Sequence, residues 1–172
     1  MNDPDKERLI SYYDRGLHIG KLVIGAHTLI GGLINPLMHR WILWRLPAIG
    51  NYLHKLLRSD YDKALHDHPW PFIAIILKGG YYEVHDQTQD RKEETLWHGP
   101  GSVLVRPAQW RHRVVLPTDD KGKFRPSWSL IIVGRREQKW GFYLPTGWCW
   151  WRKHDAVKNI CEDHILWPGG KD

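Results

Sequence analysis

Cysteine is scarce: the 172 residues contain two, Cys149 and Cys161, and no CxxC pair. That excludes a cysteine-based zinc finger and argues against a disulfide framework. Both cysteines lie among apolar residues and are expected to be buried free thiols. Long apolar runs are absent too. The stretch Leu22–Met38 is rich in Gly, Ile and Leu, but His27, Asn35 and Pro36 interrupt it. It falls short of the roughly 20 apolar residues that a membrane span needs, and is read as a buried packing segment, so no membrane partner is expected. The opening MNDPDKERL is acidic and polar, without the charged-then-apolar order of a secretory signal, which points to a cytoplasmic protein. There is no internal repeat and no low-complexity segment. Runs of one charge sign are also missing: the densest basic cluster, Arg135, Arg136 and Lys139, is broken by Glu137. The net charge of +6 therefore reads as a solvated basic surface, not a nucleic-acid groove.

What remains is ordinary in amount for one globular domain, with 42% hydrophobic and 26% charged residues. Tryptophan is the exception, with eleven copies. Most must fill the core, and a few are available to line a pocket.

From Arg40 onward, short apolar or alternating runs are separated by turn residues. The expected strands are Arg40–Arg45, Asn51–Arg58, Ala64–His66, Phe72–Lys78, Tyr81–His85, Glu93–Trp97, Ser102–Arg106, Arg111–Leu116, Ser127–Val133, Lys139–Leu144 and Cys149–Trp151. Breaks such as Gly79-Gly80, Gly99–Gly101 and Pro145–Gly147 punctuate them. Many short strands so punctuated predict an all-β sandwich or barrel. A short helix is expected over Lys6–Asp14. Another is expected over Lys153–Glu162, where Ala156, Val157, Ile160 and Cys161 recur at helical spacing. The chain thus divides into an N-terminal lead (1–38) packing on a barrel (39–152), followed by a C-terminal helix and tail (153–172).

The chemistry concentrates at His66-Asp67-His68-Pro69-Trp70. Histidines at i and i+2 of an extended segment point to one side. Downstream, Gly101 opens a strand, Pro107 turns it, and His112 arrives on a neighbouring strand. Three neutral imidazoles are a donor set for Fe, Zn, Cu or Ni.

These residues resemble the two motifs of the cupin superfamily. His66, His68 and Gly80 match G(X)5HXH(X)3-4E(X)6G, and Gly101, Pro107 and His112 match G(X)5PXG(X)2H(X)3N. The acidic ligand position falls on Ile73, or on Phe72 at the shorter spacing. Gln109 and Leu116 replace the usual Gly and Asn. The likeness spans Ala64 to Leu116. It implies a cupin-type double-stranded β-helix, or jelly-roll barrel. It also implies a divalent metal on His66, His68 and His112, with Fe(II) foremost and Zn, Ni or Mn as alternatives. The three-histidine set is similar to that of thiol dioxygenases, although the rest of the chain departs from that group. The phrase LHDHPW and the Trp-rich ending (Trp140-Gly141-Phe142, Gly147-Trp148) resemble small bacterial and phage-type cupins.

The function implied is a metal-dependent oxygenase on a small organic substrate. The alternatives are a metal-assisted sugar or keto-acid isomerase or epimerase, and a non-catalytic small-ligand binder or phage accessory protein. His54, Arg106 and Tyr81 are the candidate catalytic groups. Trp70, Ile73, Trp110 and Tyr143 are the candidate pocket wall. Asp67 is a candidate partner for a metal-bound histidine, whereas Glu83 lies beyond Gly79-Gly80, too far along to replace the missing ligand. His154 and His164 are expected to be solvated. Exposed barrel edges make a homodimer the expected assembly.

Overall fold

The computed structural model describes residues 10–31, 35–60, 64–86, 93–155 and 160–161. All regular structure among them is β. The strands are β1 (Ile10–Asp14), β2 (Leu17–Ile19), β3 (Leu22–Ile30), β4 (Met38–Leu46), β5 (Ile49–Leu56), β6 (Leu65–His66), β7 (Phe72–Lys78), β8 (Tyr81–Asp86), β9 (Glu93–His98), β10 (Val103–Arg106), β11 (His112–Val115), β12 (Ser127–Val133), β13 (Gly141–Leu144), β14 (Gly147–Trp150), β15 (His154–Asp155) and β16 (Ile160–Cys161).

The pairing from β5 to β12 is nested. Strand β5 pairs with β12, β6 with β11, β7 with β10, and β8 with β9, all antiparallel. A long hairpin wound in this way closes into two sheets, with the orders β5-β12-β7-β10 and β6-β11-β8-β9. This is the jelly roll, the cupin-type double-stranded β-helix. Strands β1 to β4 extend the first sheet beyond β5, and β13 and β14 extend the second beyond β6.

Alternation puts one side of each strand inside. On β7, Phe72, Ala74 and Ile76 are buried, while Ile75 is half-buried and Leu77 exposed. Together with Ala26, Ile42, Tyr52, Leu104 and Val133 they form the core. The Gly79-Gly80 turn has positive φ at both residues, and a side chain at Gly80 would collide with the Trp97 ring and the His98 carbonyl. Only glycine can close the hairpin there.

Three expectations change. Residues Ile10–Asp14 of the expected N-terminal helix are strand β1, paired with β3. Their β-prone Ile10, Tyr12 and Tyr13 find a partner that no local pattern announces. Residues 6–9 of that helix lie outside the described residues. The expected C-terminal helix lies largely outside them as well, and its described parts, β15 and β16, pair as strands. Cys149 is disulfide-bonded, not a free thiol, and the only other cysteine of the chain is Cys161. The apolar neighbourhood of a cysteine does not reveal whether its sulfur is bonded.

Candidate metal centre

His66 closes β6 and lies opposite His112, the first residue of β11. His68 follows in the β6–β7 loop. Its amide donates to the Ala108 carbonyl (3.0 Å), and its own carbonyl accepts from Gln138 Nε2 (2.9 Å). These bonds fix the loop. Ligand nitrogens of the three rings all lie within 4.8 Å of one another. His68 Nε2 and His112 Nε2 stand 2.7 Å apart. A metal–imidazole bond is about 2.0–2.1 Å, so donor nitrogens around one ion sit roughly 3–4 Å apart. The cluster fits one ion after small ring rotations.

The protonation pattern suits that role. Burial, then the neighbouring His112 and His66, push His68 well below the ordinary imidazole range, so it is neutral at pH 7. His112 Nδ1 lies 2.7 Å from Glu83 Oε1. A hydrogen on Nδ1 is aimed at the carboxylate, which turns Nε2 of His112 toward His68, an arrangement assigned from the network.

Glu83 is the organising group. It is fully buried and sits on the inner face of β8. It accepts from His112 Nδ1, from Arg106 Nη2 (2.6 Å) and Nε (3.2 Å), from Trp110 Nε1 (3.0 Å), and from His98 Nε2 (3.0 Å). Burial alone would raise its carboxyl. The hydrogen bonds from His112 and Arg106 outweigh that and hold it well below the ordinary carboxylate range. A carboxylate behind a ligating histidine sets its tautomer and aims its ring. Alternation could have signalled this, because Glu83 shares the buried face of β8 with Tyr81 and His85.

The other sequence candidates divide. Arg106 and Trp110 converge on Glu83 and not on the open side of the cluster; the Arg106 guanidinium also stacks on the Trp110 ring at 4.3 Å. Tyr81 is buried, its ring 5.9 Å from His98, and burial followed by the Glu83 charge raises its hydroxyl, which stays protonated. Ile73 does not enter the barrel, because alternation turns it away from the interior that Phe72 faces. Phe72 is the inner wall instead, its ring 4.7 Å from His68 and 6.1 Å from His112. An aromatic ring therefore stands where the cupin motif carries its acidic ligand. Tyr143 pairs with Leu65, on the face away from His66, and its hydroxyl donates to Asp67. Its neighbour Phe142 is the residue opposite His66.

Trp70 packs on the core and lines a cavity with Tyr52 and Val133. His54 lies on the interior face of β5 and its Nε2 accepts from Arg40 Nε (2.9 Å). Asp67 serves no histidine. It accepts from the Gly141 amide (2.7 Å), the Tyr143 hydroxyl and Trp148 Nε1, tying β6 to β13 and β14. Asp60 Oδ2 lies 3.9 Å from His66 Nδ1. His154 stacks on Phe142 at 4.2 Å, so it is packed, not solvated; His164 lies outside the described residues. His85 went unnoticed in the sequence. It is fully buried, faces His112 across the β8–β11 pair, and makes no hydrogen bond through either ring nitrogen among the described residues.

Jelly-roll topology, the order of the two motifs and the convergence of their histidines define a cupin-type barrel with a three-histidine cluster. No family model and no curated protein matches the sequence. Solved structures similar to it include a conserved protein of unknown function from Streptococcus pyogenes (21% identity over 59% of this chain and 76% of that one, TM-score 0.42). Another is a cupin-2 domain from Rhodospirillum rubrum (15% identity, 59% and 63%, TM-score 0.44). A third is a cupin superfamily protein from Desulfitobacterium hafniense (18% identity, 56% and 75%, TM-score 0.40). No described helix is long and apolar enough to cross a membrane.

Proposed function

We propose that His66, His68 and His112 hold one divalent metal ion, with iron(II) as the working metal, and that the protein is a non-haem oxygenase of a small organic molecule. The observation carrying this reading is the donor set: three convergent imidazoles, one of them backed by Glu83, with Phe72 in place of a fourth, charged ligand. Bound there, such an ion would supply Lewis acidity and one-electron chemistry at its open coordination positions. The chain's own contribution is to hold His112 in one tautomer through Glu83 and to keep the surroundings dry and aromatic with Phe72, Phe142 and Trp140 around the cluster. Anaerobic loading with Fe(II), followed by oxygen-uptake assays over thiols, diketones and phenols, tests the reading. Metal-dependent uptake with at least one class is expected, and none with any class would reject the oxygenase.

A second reading, a metal-assisted isomerase or epimerase, is favoured by His85. A buried imidazole beside His112 with neither nitrogen hydrogen-bonded is placed to carry a proton. It predicts turnover of hydroxy-ketone or keto-acid substrates without oxygen, retained when Zn(II) replaces Fe(II), and lost in His85→Phe.

A further inference from the structure

The inner face of the first sheet is apolar in most of its rows. Ala26, Ile42, Tyr52, Ile131, Ala74 and Leu104 follow one another across β3, β4, β5, β12, β7 and β10. The adjacent row is different. There Thr28 faces Arg40, Arg40 faces His54, and His54 faces Ser129. A polar stripe of four residues crosses the interior, and its centre is a guanidinium.

Arg40 has no acid to neutralise it: no carboxylate among the described residues forms a salt bridge with it. Among the described residues, the only hydrogen bond of its side chain is from Nε to His54 Nε2. Burial and then the Arg40 charge push His54 far below the ordinary imidazole range, so His54 is a neutral acceptor that aims the guanidinium without cancelling it. The outer prong of Arg40 is thereby left for another partner. By contrast Arg106, a candidate catalytic group in the sequence, is spent on Glu83.

The Arg40 guanidinium lies over the Tyr52 ring, 5.5 Å from its centroid, and Tyr52 also walls the cavity lined by Trp70 and Val133. The remaining wall of that cavity carries Lys21, Arg45 and Arg136 and no acidic residue. A cleft lined by one sign of charge concentrates the opposite ion, and an uncompensated interior guanidinium is costly unless a paired anion offsets it.

We propose that Arg40 is the seat of an oxyanion group, a carboxylate or a phosphate, on the small molecule that this barrel binds, with the basic cavity beyond Tyr52 concentrating such anions nearby. That the molecule is a substrate of the metal centre rests on the function proposed above; capture of the oxyanion does not.

The test is calorimetric titration of the full-length, metal-free protein with malonate and, separately, with inorganic phosphate. Melting curves are recorded with and without each anion. Saturable 1:1 binding of one anion is expected, and the better-bound one tells carboxylate from phosphate. That anion should raise the melting temperature of the wild type. Arg40→Met should bind about tenfold more weakly or worse, having lost a bidentate, charge-assisted contact, and its melting temperature should no longer respond. Without anion it should melt no lower than wild type. His112→Ala should keep anion binding while losing metal, which separates this site from the metal centre. Failure of both anions to bind the wild type, or equal binding by Arg40→Met, overturns the proposal. If Arg40→Met does not fold, Arg40→Lys takes its place. It keeps the charge but not the fork, and undiminished binding by it is equally fatal.

Discussion

At the scale of single residues, Glu83 governs the cluster without belonging to it. It faces His112 on one side and Arg106, Trp110 and His98 on the others. Glu83→Gln keeps the shape but offers an amide that can donate where only acceptance is wanted. Loss of such a supporting carboxylate lowers metal affinity by about 10- to 100-fold. Competition with a chromophoric chelator should read a change of that size, and unchanged affinity would show that the His112 tautomer needs no carboxylate. Phe72 is the complementary case. Its ring occupies the motif's acidic position against His68. Phe72→Glu should tighten metal binding and shift the d–d spectrum of the cobalt-loaded protein toward higher coordination, whereas a spectrum identical to wild type would place residue 72 out of reach of the ion.

At the scale of elements, β6 is only two residues long, and its position depends on what flanks it. Asp67 supplies that restraint, through its backbone to Gly141 and through its side chain to Gly141, Tyr143 and Trp148. Asp67→Ala leaves three donors without their acceptor, at a cost of about 1–3 kcal/mol for each group that stays buried. Chemical denaturation should show a loss within that range or above it, accompanied by weaker metal binding because His66 and His68 flank the anchor. A stable variant with normal affinity would contradict this. The elements themselves were largely readable in the sequence. Phe72–Lys78 and Ser127–Val133 coincide with β7 and β12, because each is a β-branched run closed by turn residues. Strands β1 to β3 were not readable: Gly25 and the mixed pattern of Leu22–Ile30 hide an alternation that only pairing with β4 makes visible. The histidine ligand set was legible as spacing. The role of Glu83 was only half legible: alternation puts it on the buried face of β8, but its contact with His112 arises from a β8–β11 register that the one-dimensional text does not contain.

At the scale of the molecule, the interior carries several histidines that must stay neutral and one carboxylate that must stay ionised. His54 and His68 are held below the ordinary imidazole value of 6.5, first of all by burial. An unfolded chain would protonate them at about that value, so acid favours unfolding from pH 6.5 downward. Glu83 is depressed from 4.5, and its contribution, complete above that pH, is lost as the pH falls further. The signs agree. Stability should fall from about pH 6.5 and more steeply below 4.5, as measured by urea midpoints from pH 8 to pH 4; a flat profile over that span would contradict the assigned protonation states.

The central claim is that His66, His68 and His112 form one metal centre. Elemental analysis of the purified protein, beside His112→Ala prepared identically and reconstituted with Fe(II), Zn(II), Ni(II) and Mn(II) in turn, tests it most directly. About one ion per chain in the wild type, and loss of it in the variant, is the expected result. A wild type that takes up no ion under any loading, or a variant that retains a full equivalent, would contradict the account.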